Sequence, residues 1–395
     1  MRIAIIGAGL QGVGIALEAA RLGETVDLFE KCDSCLERAS SQNEGKVHLG
    51  FVYANDSSMR TARLMATAAL HFEKIVAEWL ELGALSIGTS SPFCYIVHPK
   101  SMLSEDELKA YWSAVTEACS HVMSSGAASY FGGDPCTPVR RRQKNGYIAF
   151  ETPEIAIDPV MLATLLQARV SQEPRIRLRT ATTVEGVQPS TGSVGVIFTG
   201  PEGRAQEQFD HVVNASWESL VAIDRTAGVT PIAGWSFRLK RFLRMHAPEL
   251  ANIDSSTMVL GPFGDVVNYG NGQVYLSWYP AGCRSMSFED RHPDWPTVLE
   301  AEEELSIKSS IVNGLRNVLP ELSCISQRSI EAAALQGGII YALGHTGIED
   351  RDSMLHQRSA TGPRSFGRYH SVDTGKWTTA PWFARQLAAH ICGSS

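Results

Sequence analysis

Apolar positions are patterned from the first residue. Met1 to Ile6 is a short apolar run, a glycine-rich turn follows, an amphipathic segment comes next, and a second apolar run stops at Glu30. That order predicts strand, tight turn, helix, strand. Residues 59 to 82 then carry apolar side chains at helical spacing and end at Gly83, a residue suited to a helix C-cap. From Ser86 to Phe150 the pattern mixes strands with a helix around Glu105 to Met123. Ala156-Ile157-Asp158-Pro159 opens a helix through Val170, and Arg175 to Val187 reads as two strands with alternating β-branched residues. SVGVIF, a turn at Gly200 to Gly203, a polar strand and the apolar HVVN at 211 to 214 follow. The run GPFGDVVNYGNGQVYLSWYP alternates apolar and polar positions with turn signals at Gly264 and Asn271-Gly272, which predicts a β-meander. Tyr269, Trp278 and Tyr279 are its candidate cavity-lining aromatics. Residues 297 to 319 read as a helix. The C-terminal stretch reads as a strand at GGIIYAL, a long polar loop, and a turn at Asp373-Thr374-Gly375-Lys376 that opens a helix.

The first turn carries chemistry. In Gly7-Ala8-Gly9-Leu10-Gln11-Gly12, the first glycine allows a sharp turn, the second a close approach of backbone to a pyrophosphate, and the third tight packing of helix on sheet. The helix then points unpaired N–H groups and a partial positive charge at the phosphates. Glu30, with Lys31 beside it, lies near the ~20-residue offset expected for a carboxylate that bonds a ribose hydroxyl. Dinucleotide binding follows from this arrangement. Glu30 argues against a 2′-phosphate, and the motif leaves NAD and FAD open.

The stretch Ser40-Ser41-Gln42-Asn43-Glu44-Gly45-Lys46-Val47-His48-Leu49-Gly50, followed by Tyr53, resembles the second flavin-contacting segment of the D-amino-acid oxidase superfamily. Within it, the likeness is to the glycerol-3-phosphate dehydrogenase and 2-hydroxyglutarate oxidase branches, where a small polar loop precedes a His-x-Gly element. The resemblance implies FAD, with Ser41, Gln42, Asn43, His48 and Leu49 among its contacts; non-covalent FAD is expected, with a covalent link at His48 or a cysteine as the alternative. It places His48 near the flavin ring, where an imidazole takes a proton as hydride leaves the substrate. The competing role for His48 is to orient the flavin or to sit hydrogen-bonded in a core turn.

The same resemblance puts Val184 of TATTVEGV against the adenine through its backbone. It also sets Ala215-Ser216 beneath the cofactor, where the family carries an Ala-Gly pair. Thr374-Gly375-Lys376-Trp377-Thr378-Thr379 resembles the Gly-Gly-Lys-x-Thr-Thr element that closes over FAD in the glycerol-3-phosphate dehydrogenase branch. His356 and Arg358 precede that element in a loop able to reach substrate. Arg358 is the candidate two-pronged clamp for a carboxylate or phosphate, with Arg351, Arg364 and Arg368 as rivals.

These readings predict an α/β (α+β) protein. A Rossmann-like FAD-binding domain with a central parallel sheet, helices on one face and a meander on the other, is joined by a β-sheet-based substrate domain. Residues 1–82, 151–230 and 337–395 are assigned to the first, and 83–150 and 231–336 to the second. The 395-residue length exceeds what a single core usually supports. No run of eighteen apolar residues is present to span a bilayer, and Met1 leads straight into a strand, so a cytoplasmic protein is expected. A net charge of -7 leaves no electrostatic footprint for nucleic acid. The basic run Arg140-Arg141-Arg142 with Lys144 reads as a solvated loop. The eight cysteines are scattered, and Cys32 and Cys35 lack a second pair at zinc spacing, so mostly buried thiols and no metal are expected.

The expected function is an FAD-dependent oxidoreductase that removes hydride from a CH–OH or CH–NH group of a small anionic substrate, with oxygen or another electron acceptor. The alternatives are a flavin monooxygenase, which needs NAD(P)H, and a non-catalytic protein that retains the flavin fold.

Overall fold

The computed structural model describes residues 1–270, 272–296 and 298–393. Asn271 of the expected Asn271-Gly272 turn and Thr297 at the expected start of a helix lie outside the described residues.

The strand Arg2–Ile6 lies within a six-stranded sheet, between His211–Asn214 and Thr25–Phe29, parallel to both. Ile176–Arg179 continues the sheet on one side, and the hairpin Gly362–Phe366 and Tyr369–Asp373 closes it on the other. A strand paired on both edges and covered on both faces must be apolar throughout. Ile3 and Ile5 face a core with Val13, Leu17 and Leu387, whereas Ala4 and Ile6 face Val184, Val196, Phe198 and Phe209. Helices Leu10–Arg21, Arg60–Trp79 and Ala380–Cys392 cover the first face. A three-stranded antiparallel meander, Thr183–Pro189, Val194–Gly200 and Gly203–Phe209, covers the second, as the sequence predicts.

Glu18 ties the three helices together. Its buried carboxylate accepts hydrogen bonds from Trp79 Nε1 at 3.0 Å, Arg385 Nε at 2.9 Å and an Arg21 guanidinium nitrogen at 2.6 Å.

The second sheet is built on the long strand Trp235–His246. Ala334–Leu343 pairs with it on one side, and Gln273–Trp278 and Ser285–Ser287 pair with it as well. The sheet runs on through Gly264–Asn268, Ser256–Val259, Cys94–Val97, Tyr147–Glu151 and Arg140–Lys144. The helix Ala301–Arg316 packs Ile311, Val312 and Leu315 against Leu243, Val274 and Leu276 on one face. Side chains alternate along a strand, so Arg238, Lys240 and Phe242 point the other way.

Several local expectations change. The helix expected to end at Gly83 is Arg60–Trp79, and Glu81, with φ of 57°, takes the left-handed position instead. Arg140–Lys144 is an edge strand rather than a loop, and its cations pair with Glu105, Glu151 and Asp254. The helix expected over 297–319 is Ala301–Arg316, followed by a 3-10 turn Pro320–Cys324. None of the eight cysteines forms a disulfide, but only Cys35, Cys94 and Cys119 are buried. The expected boundary at residue 337 falls inside Ala334–Leu343, which pairs along its length with the second sheet. We propose that the substrate segment runs to Leu343. No helix among the described residues is long and apolar enough to cross a membrane.

Burial disfavours ionisation of Glu18, but the hydrogen bonds from Arg21, Trp79 and Arg385 win and hold its carboxyl below the usual range. Stability from this group is therefore present above its unfolded value and lost as pH falls through its lowered folded value. Glu18→Ala should cost about 2 kcal/mol in urea unfolding at neutral pH, because it leaves Trp79 Nε1 buried without an acceptor while Arg385 keeps Glu78 at 2.6 Å. An unchanged midpoint would show that the cluster contributes nothing.

Candidate active site

The first cleft opens at the carboxyl ends of the parallel strands, where ligands of such sheets bind. Gly7 turns the chain with φ of 94°, and a Cβ there would stand 2.8 Å from the Ala215 carbonyl oxygen. A Cβ on Gly12 would stand 1.9 Å from the Gly7 carbonyl oxygen. Gly12 thus lets the helix seat on the turn and does not itself face the cleft. Gly9, Leu10 and Gln11 line it, and Leu10 N donates to Ser40 Oγ at 2.8 Å. The Gln11 side-chain nitrogen is buried without a partner, and its oxygen accepts from Thr374 Oγ1 at 3.3 Å. Glu30 faces the cleft while its two oxygens accept from Ala8 N and Cys32 N, both at 2.9 Å.

Lys31 also lines the cleft, but its ammonium is held 3.0 Å from Glu218, which binds Arg38 at 2.8 Å as well. Burial opposes the charge on Glu218, yet His292, Lys31 and Arg38 hold it down at about 2. Val184, Ala215, Ser216, Thr374, Lys376 and Trp377 complete the lining. Ser216 stands where the family has glycine, with φ of -78°, a conformation open to any residue; the left-handed position falls to Trp217, with φ of 52°. Gly375, with φ of 65°, does the same in the closing turn, so Thr374 is free to be threonine.

A second cavity continues from the first past Ala39, Trp217, Lys376 and Trp377, which line both. His48, Gln42, Asn43, Tyr53, His356, Arg358 and Gly375 are on its walls. Ser41, Leu49 and Thr378 face neither space. Ser41 donates its hydroxyl to the Glu37 carbonyl at 3.0 Å, and Leu49 is core, its N–H given to Glu154 at 2.7 Å. Thr378 Oγ1 accepts from His48 N at 3.0 Å and donates to the Lys46 carbonyl at 3.1 Å. Thr378 thereby fixes the His48 turn to the closing element.

His48 is buried, with Nδ1 3.8 Å from Glu154 and Nε2 3.9 Å from Glu44, and Nδ1 makes no hydrogen bond. Burial and the positive charge of Lys376 push its pKa down against the pull of Glu154. The imidazole is therefore neutral at neutral pH, the form that accepts a proton. Glu154 is fully buried and also receives the Tyr95 hydroxyl. Sequence reasoning missed Glu154 because nothing local marks it.

Of the four arginine candidates only Arg358 reaches this cavity. Arg351 pairs with Glu107 at 3.4 Å, Arg364 with Asp224 at 3.3 Å, and Arg368 is exposed, donating to the Asp210 carbonyl at 3.2 Å. His356 Nε2 is tied to the Asp350 carbonyl at 2.9 Å. Of the three aromatics proposed from the meander, Tyr279 lines the cavity. Tyr269 instead donates its hydroxyl to the Glu44 carbonyl at 2.9 Å, and Trp278 packs close to Gly314 on the helix side.

Also missed were Arg238, Lys240, Glu44, Lys46 and Asp265, all on the cavity wall. A signal was available: FRLKRF places Arg238 and Lys240 two apart on a strand that pairs on both edges. Cations on one face of an interior strand mark a site.

The donor set fits a dinucleotide flavin. An unpartnered Gln11 amide, the N-terminus of the helix Leu10–Arg21 and the Glu30 carboxylate line the first cleft and would hold the pyrophosphate and ribose of such a group, and the second cavity adjoins that cleft. Neither Gly7 nor Gly12 has room for a side-chain carbon.

A family model described as FAD dependent oxidoreductase, DAO, matches residues 2–389. Among curated proteins, an FAD-dependent monooxygenase, FPY4, of Fusarium mangiferae is 26% identical over 226 residues, covering 56% of this chain and 51% of that protein. The chain thus spans about half the length of that relative. Iminodiacetate oxidase from Chelativorans sp. BNC1 shares the fold with a TM-score of 0.67 at 14% identity, over 99% of this chain and 95% of that one. Glycine oxidase from Geobacillus kaustophilus gives 0.65 at 15% identity, over 100% and 95% of the two chains. L-proline dehydrogenase from P. horikoshii gives 0.65 at 14%, over 100% and 94%. With the family model running through both sheets and both cavities, the chain belongs to the DAO family of FAD-dependent oxidoreductases.

Proposed function

We propose that this protein removes hydride from the carbon beside a hydroxyl or amine of a small anionic substrate and passes the electrons to oxygen or another acceptor. One observation carries the reading: a buried neutral imidazole, His48, and a buried guanidinium, Arg358, stand on the walls of one cavity that opens into the cofactor cleft.

Bound FAD supplies the two-electron acceptor. Arg358 holds the substrate anion with its paired N–H donors. His48 takes the substrate proton as hydride departs, its ring fixed by Thr378 behind the backbone and Glu154 beside Nδ1. Trp217 and Trp377 flank the junction of the two spaces. A hydroxyl must lose its proton during hydride departure, whereas a free amine need not, so a neutral His48 supports the alcohol over the amine. The amine reading draws support from the iminodiacetate and glycine oxidases that share the fold. The monooxygenase reading draws support from the fungal relative. FAD bound without a covalent link is part of the proposal.

Anaerobic mixing with a panel of 2-hydroxy acids and amino acids should bleach the flavin absorption without added NADPH, and acid precipitation should leave the yellow colour in the supernatant. Bleaching by NADPH alone would favour the monooxygenase instead.

His48→Gln should keep its FAD but lose roughly a hundredfold in kcat. In the parent enzyme, kcat/KM should fall as pH drops through a value below the 6.5 of an ordinary histidine, because burial and Lys376 lower this one and the protonated ring accepts nothing. That acid limb should vanish in the variant. A variant with full kcat would assign His48 to flavin orientation.

Arg358→Met should raise KM by about a hundredfold, the cost of removing a two-pronged charged contact, with a smaller change in kcat. An unchanged KM would move the clamp elsewhere.

A further inference from the structure

Arg238 and Arg358 stand on different walls of the second cavity, one on the strand Trp235–His246 and one in the loop after the turn Met354–His356. Their exposures are 5% and 7%. Among the described residues neither has a carboxylate within ion-pairing distance, and Nε of each lacks a hydrogen-bond partner. Arg358 donates one guanidinium N–H to the Gln357 carbonyl at 2.8 Å.

The neighbouring cations are in a different state. Lys46 faces Asp265 at 3.3 Å and Lys240 faces Glu44 at 3.5 Å, so the carboxylates on the cavity wall are already matched. Lys376 lines both spaces and sits at the junction with the cofactor cleft. Among the described residues three cations are then left without a paired carboxylate: Lys376 at the junction with the cofactor cleft, and Arg238 and Arg358 on the walls of the second cavity. A buried cation without a counter-charge is costly, and a binding site that keeps one does so for a ligand that brings the opposite sign. Burial lowers the pKa of Arg358; the Tyr53 hydroxyl and, from beyond ion-pairing distance, the Asp373 carboxylate oppose this, and the charge of Arg238 reinforces it.

We infer that the substrate is a dianion, with one anionic group at Arg358 and the second charge at Arg238. The inference rests on the reading of this cavity as the substrate site. Two carboxylates or one phosphate monoester would satisfy two guanidinium forks, and the chemistry they share is a pair of negative charges on a small oxidisable molecule. Arg238 is then the residue that separates dianions from monoanions.

The test uses the FAD-loaded enzyme and non-oxidisable probes: glutarate, n-propyl phosphate and, as the monoanion, butyrate. Binding is read from the shift of the flavin absorption bands and by calorimetry at constant ionic strength. Either glutarate or n-propyl phosphate should bind at least roughly tenfold tighter than butyrate, and the tighter of the two identifies the second group. In Arg238→Gln the preferred dianion should fall to within about threefold of butyrate while butyrate itself is little changed, and Arg238→Lys should recover part of the difference. Equal affinity for all three probes, no binding of either dianion, or an Arg238→Gln variant that weakens butyrate as much as the dianions would overturn the inference. FAD content and melting temperature check that the variants fold, and Arg238→Lys carries the comparison if Arg238→Gln does not. No turnover is read, so failure to oxidise any hydroxy or amino acid would tell against the proposed reaction and leave the binding result standing.

Discussion

The closeness of the helix Leu10–Arg21 to the turn at Gly7 is the constraint on which the rest depends. The strand Arg2–Ile6 is paired on both edges and covered on both faces, so the chain must leave it abruptly at the sheet's carboxyl end. The helix then starts so near that the Gly7 carbonyl fills the place of a Gly12 side chain, while Ala215 fills that of Gly7. This contact fixes where the first helix N-terminus points. It also fixes the angle at which the strand His211–Asn214 delivers Ala215, Ser216 and Trp217 to the same cleft.

A second set of contacts locks the two sheets to one another around the loop at 42–48. Gly338, on a strand of the second sheet, lies so close that a Cβ there would be 2.5 Å from the Gln42 carbonyl oxygen. Tyr269 reaches the Glu44 carbonyl, Trp217 Nε1 donates to the Ile339 carbonyl at 2.8 Å, and Lys46 pairs in register with Ala156. The loop that carries His48 is therefore held by the second sheet and by the short pairing with Ile155–Ala156, which gives the proposed proton acceptor a fixed position.

What could be read from the sequence follows how local each feature is. The Gly7 turn, the helix and Glu30 form one continuous stretch, and their spacing alone dictates their geometry. Asp158-Pro159 announced its helix for the same reason: Asp158 accepts from Val160 N at 2.9 Å and proline occupies the first turn. His48 and Arg358 were found through a resemblance, and Arg358 was separated from Arg351, Arg364 and Arg368 only by tertiary partners. Glu154, Glu44 and Lys240 belong to pairings that span long separations in sequence, and no local pattern encodes a partner so far away. Glu81 shows the opposite failure. A glycine at 83 drew the expected helix end to itself, while the helix ends earlier with Leu82 N bonded back to the Ala77 carbonyl at 2.9 Å and Glu81 in the left-handed conformation.

The strand Trp235–His246 divides its labour by parity. Its odd positions Leu243 and Met245 are part of a core shared with the helix Ala301–Arg316, and its even positions Arg238 and Lys240 face the cavity. Because successive side chains on a strand point to opposite faces, a change on one face leaves the packing of the other in place. The proposed ligand preference and thermal robustness thus sit on alternate residues of one strand, as two interleaved messages. A lineage of such proteins is free to edit one without erasing the other.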